Sequence, residues 1–160
     1  MLAMTLLALI TLAAVMAPAA TAQPAYRYRV LAEINRVRAA HGLGRLEMAT
    51  TLRYAALGHS RDMLARHYFD HTSPSGVTLG MRVNRCGFLR YGSWWAGEDL
   101  AWGSGSYGTP VGIVRMWLNS SSHRAILLSP TPTHVGISRV VGTFQGVAGA
   151  SVVTADFASR

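Results

Sequence analysis

Apolar positions recur at helical spacing through the first two thirds of the chain and change period near its end. Val30, Leu31, Ile34 and Val37 share a stripe while Arg29, Glu33, Arg36 and Arg38 can face water, which predicts a helix over residues 27–40. His41-Gly42-Leu43-Gly44 ends it and opens a turn. A second stripe, Leu52, Ala55, Ala56, His59, Met63 and Leu64, predicts a helix over 50–67. His59 lies on that stripe, the position of a core histidine satisfied by its neighbours. Residues 68–76 are polar and turn-rich and read as a loop. A short helix is expected over 78–85, closed by Gly87. The glycine-rich run 97–108, which contains Glu98-Asp99-Leu100, reads as a site loop rather than a regular element. Pro110 can start a third long helix that buries Ile113, Val114, Trp117 and Leu118. One or two further turns are expected over 123–128, stopped by Pro130 and Pro132. Two short β-branched segments, 134–141 and 150–157, flank a connector at 142–149, which is a hairpin signal. Helices followed by strands, with no repeat or linker, imply an α+β layered fold around an antiparallel sheet.

The first 22 residues change the picture of where this chain works. They carry no charge, residues 6–16 are almost unbroken in apolar character, and Ala20-Thr21-Ala22 offers a small-residue cleavage site before Gln23. A cleaved signal peptide over 1–22 is expected, although the usual basic segment before the apolar run is missing. The apolar run is too short to cross a bilayer convincingly. The remainder, 23–160, is the length of a single domain.

All the charge lies in that remainder. Lys+Arg is 15 against Asp+Glu 7, and every basic residue is arginine. The arginines are scattered from Arg27 to Arg160 rather than gathered in a stripe, a poor pattern for nucleic acid and a natural one for attraction to an anionic envelope or acidic polymer. A lone Cys86 rules out an intrachain disulfide and is expected to pack as a small apolar group.

Three widely spaced residues carry candidate chemistry: His71, Glu98 and His123, with the 119–122 stretch beside the last. Each lies at an element edge or in a loop, where side chains are presented to a cleft. Two imidazoles converging with a carboxylate suit zinc or another divalent cation, so His71 and His123 are candidate metal ligands and Glu98 a third. The same groups could polarise a metal-bound water, which makes all three candidate catalytic residues as well. Asn35 and Arg38 read as structural, Asn35 bonding a neighbouring backbone and Arg38 clamping a loop or pairing with Glu47. Asp62 and Asp70 read as caps or solvated groups, and Trp94 and Trp95 as core packing residues, with a ligand face as the alternative.

Five ordered blocks resemble a known pattern. They are Leu31-x-x-Ile34-Asn35-x-x-Arg38-x-x-His41-Gly42-Leu43, Ala55-Ala56-x-x-His59-Ser60-x-Asp62-Met63, Phe69-x-His71-x-Ser73-Pro74-x-Gly76, Gly97-Glu98-x-Leu100-Ala101 and Trp117-x-x-Ser120-x-x-His123-Arg124-x-Ile126-Leu127. Val135-Gly136-Ile137 and the closing strand continue the series. In order and spacing they are similar to the bacterial branch of the CAP/SCP superfamily, the secreted family of cysteine-rich secretory, antigen 5 and pathogenesis-related 1 proteins, over about residues 27–157. The resemblance implies an α-β-α sandwich with a central antiparallel sheet. It also implies a cleft tetrad of two histidines and two acids, with zinc or another divalent cation on the histidines. His71, Glu98 and His123 match three of the four; the second acid falls on Ser120, which removes one carboxylate. Asp99 stands where the family usually has Asn, and an acid beside Glu98 raises the cost of ionising both unless a cation compensates. Many secreted relatives are disulfide-rich, and this chain is not.

The first functional reading is a secreted, non-catalytic module that binds a divalent metal and a small ligand or partner: an envelope component, lipid, peptide or glycan. The alternatives are a metal-assisted hydrolase or peptidase, with Ser120, Ser121 or Ser122 as nucleophile, and an envelope structural protein with a vestigial cleft. Neither nucleic acid nor stable membrane insertion after signal cleavage is expected.

Overall fold

The computed structural model describes residues 22–88 and 94–159. The expected signal peptide over 1–22 therefore lies, but for Ala22, outside the described residues. In chain order the elements are α1 (Ala22–Ala40), β1 (Glu47–Met48), α2 (Thr50–Arg66), α3 (Leu79–Arg85), β2 (Trp95–Gly103), a 3-10 turn (Gly105–Gly108), α4 (Pro110–Asn119), α5 (Ser121–Leu127), β3 (His134–Phe144) and β4 (Val147–Ser159). Local chemistry sets several of the boundaries. The Thr78 and Thr109 hydroxyls accept from the Met81 and Gly112 N–H groups and cap α3 and α4. His67 enters the left-handed region at φ 55 and returns its N–H to the Met63 carbonyl, ending α2.

The sheet runs β1-β3-β4-β2, with the final strand in the interior. β4 pairs antiparallel with both β2 and β3, while the two residues of β1 run parallel to β3. The fold is α+β with helices flanking a mixed, mostly antiparallel sheet, as expected apart from the parallel edge. Side chains alternate across a strand. Val135 and Ile137 of β3 and Val153, Ala155 and Phe157 of β4 therefore share one face. They meet Val30 and Ile34 of α1, Ile113 and Trp117 of α4, and Leu127 of α5 in the main core. The other face carries Ser138 and Thr154 beneath α2. There the buried Ser60 hydroxyl bonds both at 2.6 and 2.8 Å, and Ser138 donates to the Ala56 carbonyl.

Two expectations need correction. The run 97–108 is not a loop: most of it is β2, whose residues 97–101 are all buried. Its glycines admit close neighbours, with Trp95 and Ile126 lying over Gly97. The connector expected at 142–149 is also shorter. Both strands run on to a two-residue turn, Gln145-Gly146, with φ 49 and 78, the left-handed pair that matches strand twist in tight hairpins. Of the two tryptophans, Trp95 packs at the core margin and Trp94 is exposed. Asn35 bonds the Leu46 backbone at both its N–H and its carbonyl. Arg38, 1% exposed, clamps the Gly44, Leu127 and Ser129 carbonyls rather than pairing with Glu47. Cys86 is half-buried, and its thiol donates to the Val83 carbonyl. Among the described residues no helix is long and apolar enough to cross a membrane.

Helix α2 lies so close to β3 that a Cβ on Gly136 would stand 2.1 Å from the Leu52 backbone carbon. That contact is backbone on backbone and cannot be relieved by a rotamer change, so the helix would have to lift from the sheet. Gly136→Ala is expected to destabilise the protein by about 3 kcal/mol, read as a lower urea midpoint with an unchanged slope.

Candidate functional site

The site is built on the face of the sheet that α2 and α3 cover. Glu98 of β2 projects there, its residue only 3% exposed, directly across the ladder from Asp156 of β4. A buried carboxylate needs partners, and Glu98 has them on both oxygens. Arg82 of α3 donates from Nη2 to Oε2 at 2.5 Å, and His71 donates from Nδ1 to Oε1 at 2.8 Å. His59 Nε2 stands 3.8 Å from Oε2. Burial would push the Glu98 pKa up; His71, Arg82 and His59 together outweigh it and hold the group below the usual carboxylate range.

Arg82 also places the loop that carries His71. Its Nη1 donates to the carbonyls of His71 and Val77 at 3.0 and 3.2 Å. Ser73 closes the turn within that loop, accepting from the Val77 N–H at its hydroxyl, and Asp70 caps the Thr72 N–H. One guanidinium thus fixes both the carboxylate and the backbone of the residue that uses it. His59 is the satisfied core histidine expected from its stripe, Nε2 donating to the Asp70 carbonyl at 2.9 Å, and it also forms the back wall of the site. Burial lowers its pKa, against the opposing pull of Glu98.

His123 reaches the same place from α5. Its ring centroid lies 6.4 Å from that of His71. The structure thus brings together all three residues singled out from the sequence. The two rings are tuned oppositely. The bond to Glu98 raises the His71 pKa, whereas burial, followed by the charge of His71, lowers that of His123. His71 uses Nδ1 on Glu98, so neutral His71 keeps a lone pair on Nε2. Ser120, in the place of the missing acid, shares a hydrogen bond with Ser122 at 3.1 Å. Among the described residues no group of three or more His, Cys, Asp or Glu side chains is arranged to hold a metal ion.

Sequence reasoning missed Arg82 and Asp156. Arg82 sat in a predicted short helix with no distinguishing neighbour, and Asp156 in a strand that reads as core. Neither Asp156 oxygen meets an N–H donor, and burial with the Glu98 charge raises its pKa well above normal. That shift favours its protonated form, whose proton can be donated to Glu98. Asp99 points to the opposite face of the sheet, where both its oxygens are buried without a partner. Burial and then Glu98 raise its pKa from 3.8 to about 8. The cation that Asp99 would need stands on Glu98 instead.

The chain belongs to the CAP family: the model of the cysteine-rich secretory protein family matches residues 31–157. The chain is 35% identical to YkwD of Bacillus subtilis over 116 residues, which is 72% of this chain and 43% of that protein. The chain thus spans less than half the length of that relative. Among solved structures, an extracellular protein with an SCP domain from Bacillus anthracis aligns with TM-score 0.71 at 30% identity. The alignment covers 86% of this chain and 41% of that one. An outer surface protein of Borrelia burgdorferi shares the fold, with TM-score 0.70 at 23% identity over 85% of this chain and 93% of that one.

A buried acid that must stay protonated makes stability depend on pH. The unfolded chain releases the Asp99 proton near 3.8 and the folded chain near 8, so folding is progressively disfavoured as pH rises between them. The slope for one such group is about 1.4 kcal/mol per pH unit. In metal-free protein, Asp99→Asn is expected to flatten this part of the stability profile and to raise the melting temperature at the alkaline end of the window. A profile unchanged by the substitution would contradict the assignment.

Proposed function

We propose that this chain works outside the cytoplasm as a binding module whose cleft takes a divalent cation on His71 and His123. Through that cation and its surroundings it engages a small ligand or partner. The observation that carries this reading is the pairing of His71 and His123, with His71 anchored through Nδ1 by a buried, charged Glu98. A carboxylate on one imidazole nitrogen fixes the tautomer and makes the other a better ligand. Zinc suits two imidazoles, and a cation held by only two protein ligands retains positions for water or for oxygen atoms of a ligand. Glu98 then acts as a positioning residue, since Arg82 and His71 already occupy its two oxygens. The same occupancy argues against Glu98 as a free general base, which favours binding over hydrolysis. An extracellular place of action is supported by the Bacillus anthracis relative, which is described as extracellular.

A recess of 440 Å³ adjoins the cleft behind His59 and Arg82, walled by Tyr54, Ala55, Val77 and Cys86. Its apolar sides suit the body of a small ligand whose polar end reaches the histidines.

Calorimetric zinc titration tests the reading. Folded wild-type protein is expected to bind zinc stoichiometrically, and His71→Ala/His123→Ala, with matching circular dichroism and melting temperature, is expected to bind none. No binding by folded wild type would remove the metal reading. Glu98→Gln keeps both ligands but loses the anchor, so zinc affinity should fall about 10- to 100-fold rather than vanish. Protons compete for the imidazoles, and the His71 pKa is raised. Affinity should therefore be weaker at about pH 6 than at about pH 8.

A further inference from the structure

Helix α2 separates two recesses. The flank bearing Tyr54, Gly58 and Asp62 faces the one beside the cleft, and the flank bearing Arg53, Leu57 and Arg61 lines a second, of 450 Å³. Arg27 of α1 and Arg139 of β3 complete the second recess over an apolar floor that includes Ile137 and Val141, and no acidic residue lines it. The ion pairs of the described residues engage Arg36, Arg66 and Arg82 among the arginines, and none of these four. Arg27 Nε is buried without an acceptor. Arg139 is held in place, its Nε donating to Ser151 at 2.9 Å and its guanidinium lying 4.4 Å over the Tyr26 ring. The Arg27 and Arg53 guanidiniums likewise lie over the Tyr28 and Tyr54 rings, at 5.4 and 4.2 Å, and a guanidinium stacked face-on keeps its N–H edge for an acceptor.

We propose that this recess is a binding site for an anion carrying several phosphates in line. Four arginine side chains line one concavity with no acid among them, and arginine forks match phosphate oxygens two at a time. Arg53 and Arg61 stand about 12 Å apart along the α2 axis. A short phosphate chain matches that span better than a single phosphate does. The site is concave, so it suits a linear anion that enters it better than a flat bilayer surface. A charged residue on β3 would by itself guard an open strand edge, but that purpose asks only for Arg139 and not for three helix arginines around it. The site shares no residue with the histidine cleft and does not depend on the metal reading.

The test is binding of tripolyphosphate to the whole domain at physiological salt, with a chelator present. Wild type is expected to bind it at one site and to bind inorganic phosphate more weakly. Arg53→Gln/Arg61→Gln, whose side chains lie on the helix exterior, should weaken binding about tenfold or more. Arg29→Gln/Arg115→Gln removes the same charge elsewhere on the surface and should stay within about twofold of wild type. Equal losses in the two variants would reduce the effect to net charge and overturn the proposal. So would poly-glutamate binding as tightly as tripolyphosphate, which would indicate an acidic peptide. Binding to phosphatidylglycerol vesicles without binding to tripolyphosphate would overturn it in favour of a membrane surface.

Discussion

Glu98 carries its charge inside the protein, and Arg82 makes that tenable. Without the guanidinium, a carboxylate beneath two helices would take up a proton or leave the sheet face; with it, the carboxylate stays ionised and aims at His71. The same guanidinium bonds the carbonyls of His71 and Val77, so the loop and the acid are tied to one atom group on α3. Charge, loop path and histidine orientation thus stand or fall together. Asp99 shows the opposite case one residue away. It has the same burial and no cation, so it survives only as a neutral acid. Two adjacent acids differ in protonation because alternate residues of a strand face opposite sides of the sheet.

The helices were legible because their signals are local. The α2 stripe gave both the helix and the buried position of His59. Pro110 marked the start of α4, and the β-branched character of 134–141 and 150–157 marked the two final strands. The β2 strand was not legible, because Gly97, Glu98, Asp99 and Gly103 are poor strand formers taken singly. What makes them a strand is a register with β4 that no local window contains. The three residues of the cleft were found through ordered motifs. Arg82 and Asp156 escaped because their importance comes from what stands opposite them across α3–β2 and β2–β4, not from their own neighbours in sequence. Arg38 was half legible: its clamping role could be foreseen, but its partners Leu127 and Ser129 could not.

Helix α2 organises more of the molecule than its length suggests. One stripe seals the sheet through Leu52, Ala56 and Met63, and Gly136 allows the close approach. The two flanks then face separate recesses of different character, one mostly apolar beside the histidines and one ringed by arginines. Both are shaped by a single rigid element. Any displacement of α2 along the sheet would therefore alter them at once, and the close packing at Gly136 makes such displacement costly.

The position of β4 in the sheet has a consequence for the order of folding. It is the last strand in sequence, yet β2 and β3 meet only through it, and Trp95 pairs with Ser159. A chain emerging from its N-terminus can form α1 and α2 early, but the sheet they cover does not exist until residues 147–159 arrive. Tertiary closure is thus long-range and late, and the apolar faces of both helices stay uncovered until the final strand inserts. Until β4 docks, β2 and β3 share no partner, so closure of this sheet waits on a single strand.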